Sequence, residues 1–136
     1  MNYELFQLGV KALIKNDDNK VLLLFHSPKN IGIKPYWDLP GGRIEKNETV
    51  ENTLKKELRE EIGIEKFNNH GLVSASIANF KVQGSELILF IYDCSLPGDS
   101  EIKLGNEHIK FDWVDKKKAL ELLGIKYNKK FLEKIF

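Results

Sequence analysis

Three glutamates, Glu57, Glu60 and Glu61, stand at i, i+3 and i, i+4 spacing within the segment GRIEKNETVENTLKKELREEIGI, residues 42–64. Thr49 to Ile62 has helical periodicity, with Val50, Leu54, Leu58 and Ile62 forming an apolar stripe. On that helix the three carboxylates share an arc of about 100°. Glu61 falls angularly between Glu57 and Leu58, so its carboxylate is held at the margin of the apolar face. Three like charges at that spacing repel one another, and a hard divalent cation relieves the repulsion. Magnesium takes carboxylate and water oxygens, and substrate phosphates complete its shell. Bound in that way, it polarises a phosphoryl group and supplies hydroxide at neutral pH. The Gly41-Gly42 pair lets backbone approach closely, so that a carbonyl can join the shell. The spacing of the glutamates alone leaves open a solvated acidic face paired with Lys55, Lys56 and Arg59.

The whole segment resembles the Nudix box, G-x5-E-x7-R-E-U-x-E-E-x-G-U, where U is a bulky aliphatic residue. Gly42 opens it, Glu48 follows after five intervening residues, and Glu57-Leu58-Arg59-Glu60-Glu61-Ile62-Gly63-Ile64 completes it. Trp37-Asp38-Leu39-Pro40-Gly41-Gly42 also resembles the strand and turn that lead into the box. The resemblance implies an α/β fold, a Nudix-type α/β/α sandwich with a mixed β-sheet between helices, over a single domain, 1–136. It implies a hydrolase that splits a diphosphate linkage, with Mg2+ (or Mn2+) as cofactor. By position, Glu60 and Glu61 would be metal ligands and Gly41 would lend a carbonyl oxygen. Glu57 would orient or deprotonate the attacking water or bind metal, and Glu48 would be a supporting carboxylate. Glu107, in the loop Gly105-Asn106-Glu107-His108, resembles a loop glutamate that helps bind metal or water in MutT-type members. The departure is Lys56, where the pattern has an arginine that orients the first glutamate of the run. Lysine keeps the charge but loses the planar bidentate fork.

Substrate choice lies outside the box. Arg43, beside the glycine turn, is placed to contact phosphate, and His26 occupies a position where MutT-type members often carry a phosphate-binding arginine. Asn128, before the last helix, resembles the purine-reading asparagine of that branch, because an amide both donates to and accepts from a base edge. It would also serve as a helix cap. Phe80 could stack on a base. Asn79 stands where an ADP-ribose pyrophosphatase would have proline, which argues against that activity. His70 and His108 have weaker claims, and the three histidines show no metal-ligand spacing. The expected substrate is a small-molecule nucleotide, a nucleoside triphosphate or a related derivative, including oxidised purine forms. The alternatives are a dinucleoside polyphosphate or nucleotide-sugar hydrolase, and a nucleotide-binding sensor made inactive by Lys56.

The elements that must position these residues are legible in outline. Leu8–Ile14 and Val21–Phe25 are apolar strands, and the polar turn Lys15–Lys20 between them suggests a hairpin. Residues 27–36 form a loop into a short strand at Trp37–Leu39, and Pro40-Gly41-Gly42 breaks regular structure. Gly63 is a left-handed stop for the central helix. Leu72–Phe80 and Glu86–Cys94 are strands joined around Gly84, and Ile109–Val114 is another. Asp115 caps a helix through Leu123, and Asn128–Phe136 closes the chain as a helix. Strands flanked by helices give a mixed sheet between helical layers.

Composition excludes other classes. The 136 residues carry a net charge of +1, which gives no electrostatic case for a nucleic-acid polymer or an anionic membrane. The lone cysteine, Cys94, sits in an apolar strand and reads as structural. Met1-Asn2-Tyr3-Glu4 lacks a basic start and an apolar run, so no signal peptide is expected. The reading is of a cytoplasmic protein, a monomer or homodimer.

Overall fold

A computed structural model describes residues 2–27 and 34–136. Its elements are β1 (Gln7–Ile14), β2 (Val21–His26), β3 (Tyr36–Asp38), β4 (Gly41–Arg43), α1 (Val50–Ile62), β5 (Asn68–Val82), β6 (Ser85–Ser95), β7 (His108–Val114), α2 (Lys116–Leu123) and α3 (Lys129–Glu133). The strands form a four-stranded sheet, β4-β1-β6-β5, and a three-stranded sheet, β3-β2-β7. The first is mixed, because β1 runs parallel to β6 and antiparallel to β4. Strand alternation sends neighbouring side chains to opposite faces. Val10, Ala12, Ile14, Leu22 and Leu24 pack with Leu54, Leu58 and Ile62 of α1. Leu13, Val21 and Leu23 pack on the other side with Ala119, Leu123, Phe131 and Leu132 of α2 and α3. The α/β/α sandwich is therefore present, with its β layer divided between two sheets.

That division corrects the expected hairpin. Both edges of β1 are taken, by β4 and β6, and β2 lies between β3 and β7. A single bridge, Lys15↔Val21, joins the two strands. The turn between them is tight: Asn16 Oδ1 accepts from the N–H groups of Asp18 and Lys20. A second correction concerns Gly41-Gly42, which do not break regular structure. They belong to β4, where Gly42 pairs with Val10 and Gly41 with Lys11. The expected loop over 27–36 ends earlier, since Tyr36 opens β3, and 28–33 lie outside the described residues.

Helix α1 is fixed at both ends. Thr49 Oγ1 accepts from the Asn52 N–H at 3.1 Å, a cap contributing about 1 kcal/mol. Gly63, at φ 68°, sends its N–H to the Arg59 carbonyl at 3.1 Å, and Ile64 reaches Leu58 O at 3.2 Å. Between these ends Leu54, Leu58 and Ile62 are fully buried, so the helix cannot rotate its acidic face away. Among the described residues, no helix is long and apolar enough to cross a membrane.

Candidate active site

Glu57, Glu60, Glu61 and Glu107 line one cavity of about 700 Å³, floored by Gly41 and Gly42. Helix α1 supplies the first three, and the loop before β7 supplies the fourth. That loop is docked on the end of α1: the Lys103 N–H donates to Ile62 O and the Gly105 N–H to Glu61 O, both at 2.9 Å. These bonds satisfy carbonyls that a helix C-terminus leaves open. His26 holds the loop from the other side, with Nδ1 3.0 Å from the Glu107 carbonyl. Since a carbonyl only accepts, Nδ1 carries the proton.

Glu61 is the buried member, with only 8% of its surface exposed. Its Oε1 accepts the Gly41 N–H at 2.6 Å, and Oε2 lies 3.5 Å from His108 Nε2. Burial pushes its pKa up to about 8; Lys11 and the Gly41 hydrogen bond oppose the rise, while Glu57 and Asp38 add to it. Glu57 is raised too, by burial and then by Glu60, with Lys56 and Lys11 opposing. Burial lowers His108 to about 4, so it faces Glu61 as a neutral ring. Its Nδ1 is buried with no hydrogen-bond partner among the described residues.

Gly42 has a steric role: a Cβ there would stand 2.5 Å from Glu57 Cδ. A Gly42→Ala variant should keep its fold, because only a side-chain end must move, yet lose about tenfold or more in turnover through the displaced carboxylate. Unchanged steady-state kinetics would show that Glu57 is not held against Gly42 of β4.

Lys56 does not do what its place in the box suggests. Its Nζ pairs with Glu48 Oε2 at 2.9 Å rather than contacting Glu57. Glu48 Oε1 in turn accepts the Glu45 N–H at 3.0 Å. The pair ties the loop before α1 to the helix, and Lys56 reaches Glu57 only through space.

The remaining expected residues disperse. Arg43 borders the cavity and donates to Gln7 Oε1 at 2.9 Å. Asn128 Oδ1 accepts from the Phe131 N–H at 2.8 Å, capping α3. Asn128 lines a different cavity, with Leu120 and Phe136, and so lies apart from the carboxylates. Phe80 packs on Tyr127, its ring centroid 5.7 Å away. His70 meets Ser95 Oγ on the β5–β6 hairpin. Cys94 is buried, and burial raises its thiol to about 12, as a structural residue requires.

A group that the sequence reading missed adjoins the carboxylates. Asp38 is buried and accepts from Lys126 Nζ at 2.6 Å, Lys11 Nζ at 3.2 Å, Tyr127 Oη at 2.7 Å and the Leu39 N–H at 2.8 Å. Burial alone would raise its pKa, but the two lysines outweigh burial and hold it at about 2. Lys11 is the visible clue, a cation inside the apolar run of β1. Asp38→Asn leaves both ammonium groups short of their counter-charge and should cost about 3 kcal/mol. Thermal unfolding should show it as a Tm lower by roughly 10 °C; an unchanged Tm would mean that the lysines turn to solvent at no cost.

The donor set suits a hard cation. The carboxylates line one cavity beside strand β4, and burial raises the pKa values of Glu57 and Glu61, with neighbouring carboxylates adding to the rise. Among the described residues, no three acidic, His or Cys side chains already form a closed ligand cage. A magnesium ion that retains waters and shares substrate phosphates does not require one.

The model of the NUDIX domain matches residues 5–135. The chain belongs to the Nudix hydrolase family. It is 28% identical over 114 residues to the CTP pyrophosphohydrolase of Escherichia coli K12, covering 84% of this chain and 80% of that one. It is also 28% identical over 102 residues to nudix hydrolase 1 of Caenorhabditis elegans, spanning 74% of this chain and 26% of that longer protein. The crystal structure of a MutT protein from Methanosarcina mazei Go1 superimposes with a TM-score of 0.77 at 26% identity, over 99% of this chain and 94% of that one.

Proposed function

We propose that this chain hydrolyses a nucleoside triphosphate to a monophosphate and pyrophosphate, with magnesium as cofactor. The observation that carries the reading is the convergence of four glutamates, from α1 and the Glu107 loop, on one cavity beside Gly41-Gly42. Similarity to the E. coli CTP pyrophosphohydrolase supports a nucleotide triphosphate as the substrate class. When bound, magnesium neutralises phosphate charge and lowers the pKa of a coordinated water. Glu60, Glu61 and Glu107, with the Gly41 carbonyl, would hold the metal.

Glu57 serves as the base or water-orienting group. Its pKa is raised, chiefly by burial, which makes it a stronger base than a solvated carboxylate. Gly41 donates its N–H to Glu61 Oε1, which fixes that carboxylate and leaves Oε2 for a cation. Arg43, at the cavity rim, is placed to meet phosphate oxygens that the carboxylates do not face.

The test is a panel of triphosphates, nucleotide sugars and dinucleoside polyphosphates, assayed with magnesium or manganese and with EDTA. The expected result is metal-dependent pyrophosphate release from one or more triphosphates. Release of phosphate products only from another substrate class would displace the triphosphate reading. No product from any substrate would overturn the enzymatic one.

A further inference from the structure

A second compartment of about 870 Å³ continues from the carboxylate cavity and shares Gly41–Arg43, Glu61 and Glu107 with it. Its own walls carry Lys11, Lys126, Tyr36, His26 and Asp38. A ligand whose phosphates lie at the carboxylates would place its remaining part here. We propose that this compartment receives the nucleobase, and that Lys126 with Lys11 selects bases bearing a ring carbonyl oxygen over adenine. The proposal rests on the nucleotide reading above.

Asp38 sets up the donors. Both of its oxygens are saturated, by two ammonium groups, a phenol and a backbone N–H. Asp38 therefore has no acceptor capacity left for a ligand. Each ammonium has three N–H bonds. Lys126 spends one on Asp38, and Lys11 spends two, on Asp38 and the Leu39 carbonyl. Lys126 is also fixed in place, its Nζ lying 4.6 Å from the centre of the Tyr36 ring and 5.2 Å from that of Phe80. A donor already immobilised by the fold loses little entropy on meeting its acceptor.

Two features favour a base over a phosphate. Asp38 offsets one of the two lysine charges, which weakens the site for a polyanion but leaves its hydrogen-bond donors intact. The rings of Tyr36 and His26, with centroids 5.1 Å apart and planes tilted by 52°, give the compartment an aromatic wall against which a heterocycle can pack. Guanine, cytosine and uracil each present a carbonyl oxygen to such donors. Adenine carries an amino group where guanine has O6.

The test measures binding of GMP, CMP, UMP and AMP by calorimetry with magnesium present, to the full chain and to Lys126→Met and Lys126→Gln. Adenine should bind weakest to the wild type, by about tenfold or more relative to the best base. Lys126→Met should abolish that preference while leaving AMP affinity unchanged, and Lys126→Gln, which keeps amide donors, should recover part of it. If the methionine variant fails to fold, the glutamine variant carries the comparison through a reduced preference. An equal loss for all four bases would reassign Lys126 to phosphate and overturn the proposal, as would a wild type without base preference. Intact base-selective binding without triphosphate turnover would overturn only the catalytic reading.

Discussion

Glutamine at position 57 or 61 is expected to lower magnesium-dependent turnover by about 10³-fold, because each change removes a charge that the reaction uses. The two variants should fail differently. Glu57 is half-buried on the cavity wall and acts as base rather than as metal ligand, so Glu57→Gln should lower kcat and leave metal affinity near that of the wild type. Glu61 lies in the floor, bonded to the Gly41 N–H at 2.6 Å. Its carboxamide can still accept that bond through oxygen but offers no charge to a cation, so Glu61→Gln should raise the magnesium concentration needed for half-maximal rate. Steady-state kinetics over a magnesium titration separate the two. Turnover within tenfold of wild type in both purified, folded variants would remove these glutamates from the mechanism.

How much of this was legible follows from the range of the interactions involved. Helix α1 and its C-terminal stop were readable because the Leu54–Leu58–Ile62 stripe and Gly63 are local signals, whereas the cap by Thr49 came only with the structure. The clustering of Glu57, Glu60 and Glu61 followed from the same periodicity. Loop docking was not readable, since the bond from the Gly105 N–H to Glu61 O joins segments far apart in the chain. The division of β1 and β2 between sheets failed for a related reason. A polar six-residue turn fits a hairpin, and only the β1–β6 parallel pairing shows that the edge facing β2 is already occupied. Lys56 was read through its neighbour in the pattern, whereas the structure pairs it with Glu48, in the loop before α1. The cluster around Asp38 gathers Lys11, Lys126 and Tyr127 from opposite ends of the chain, and no short-range pattern marks it.

Without metal, the wild type is expected to lose stability as pH rises from 6.5 to 8, and Glu61→Gln should not show that loss. The ordinary glutamate value is 4.5, and the folded protein holds Glu61 at about 8, burial being the main cause. Between those values the native state keeps a proton that the unfolded chain has released, so stability falls with rising pH. His108 acts in the opposite sense at lower pH. Its folded value of about 4 lies below the ordinary 6.5, so its stabilising contribution is lost as pH falls and is complete above 6.5. Asp38, held at about 2, contributes fully above 3.8 and is silent in this window. Glu57 is raised in the same direction as Glu61, so its contribution has the same sign. Over the 1.5 pH units left to Glu61, the loss is about 2 kcal/mol, or roughly 5–10 °C in Tm. Magnesium should reduce the loss, because it favours the ionised carboxylate of the native state. Parallel Tm-versus-pH curves for wild type and Glu61→Gln in EDTA would show that Glu61 is not the group that holds the proton. A divergence that closes on adding magnesium would tie the raised carboxylate to the cation it is built to meet.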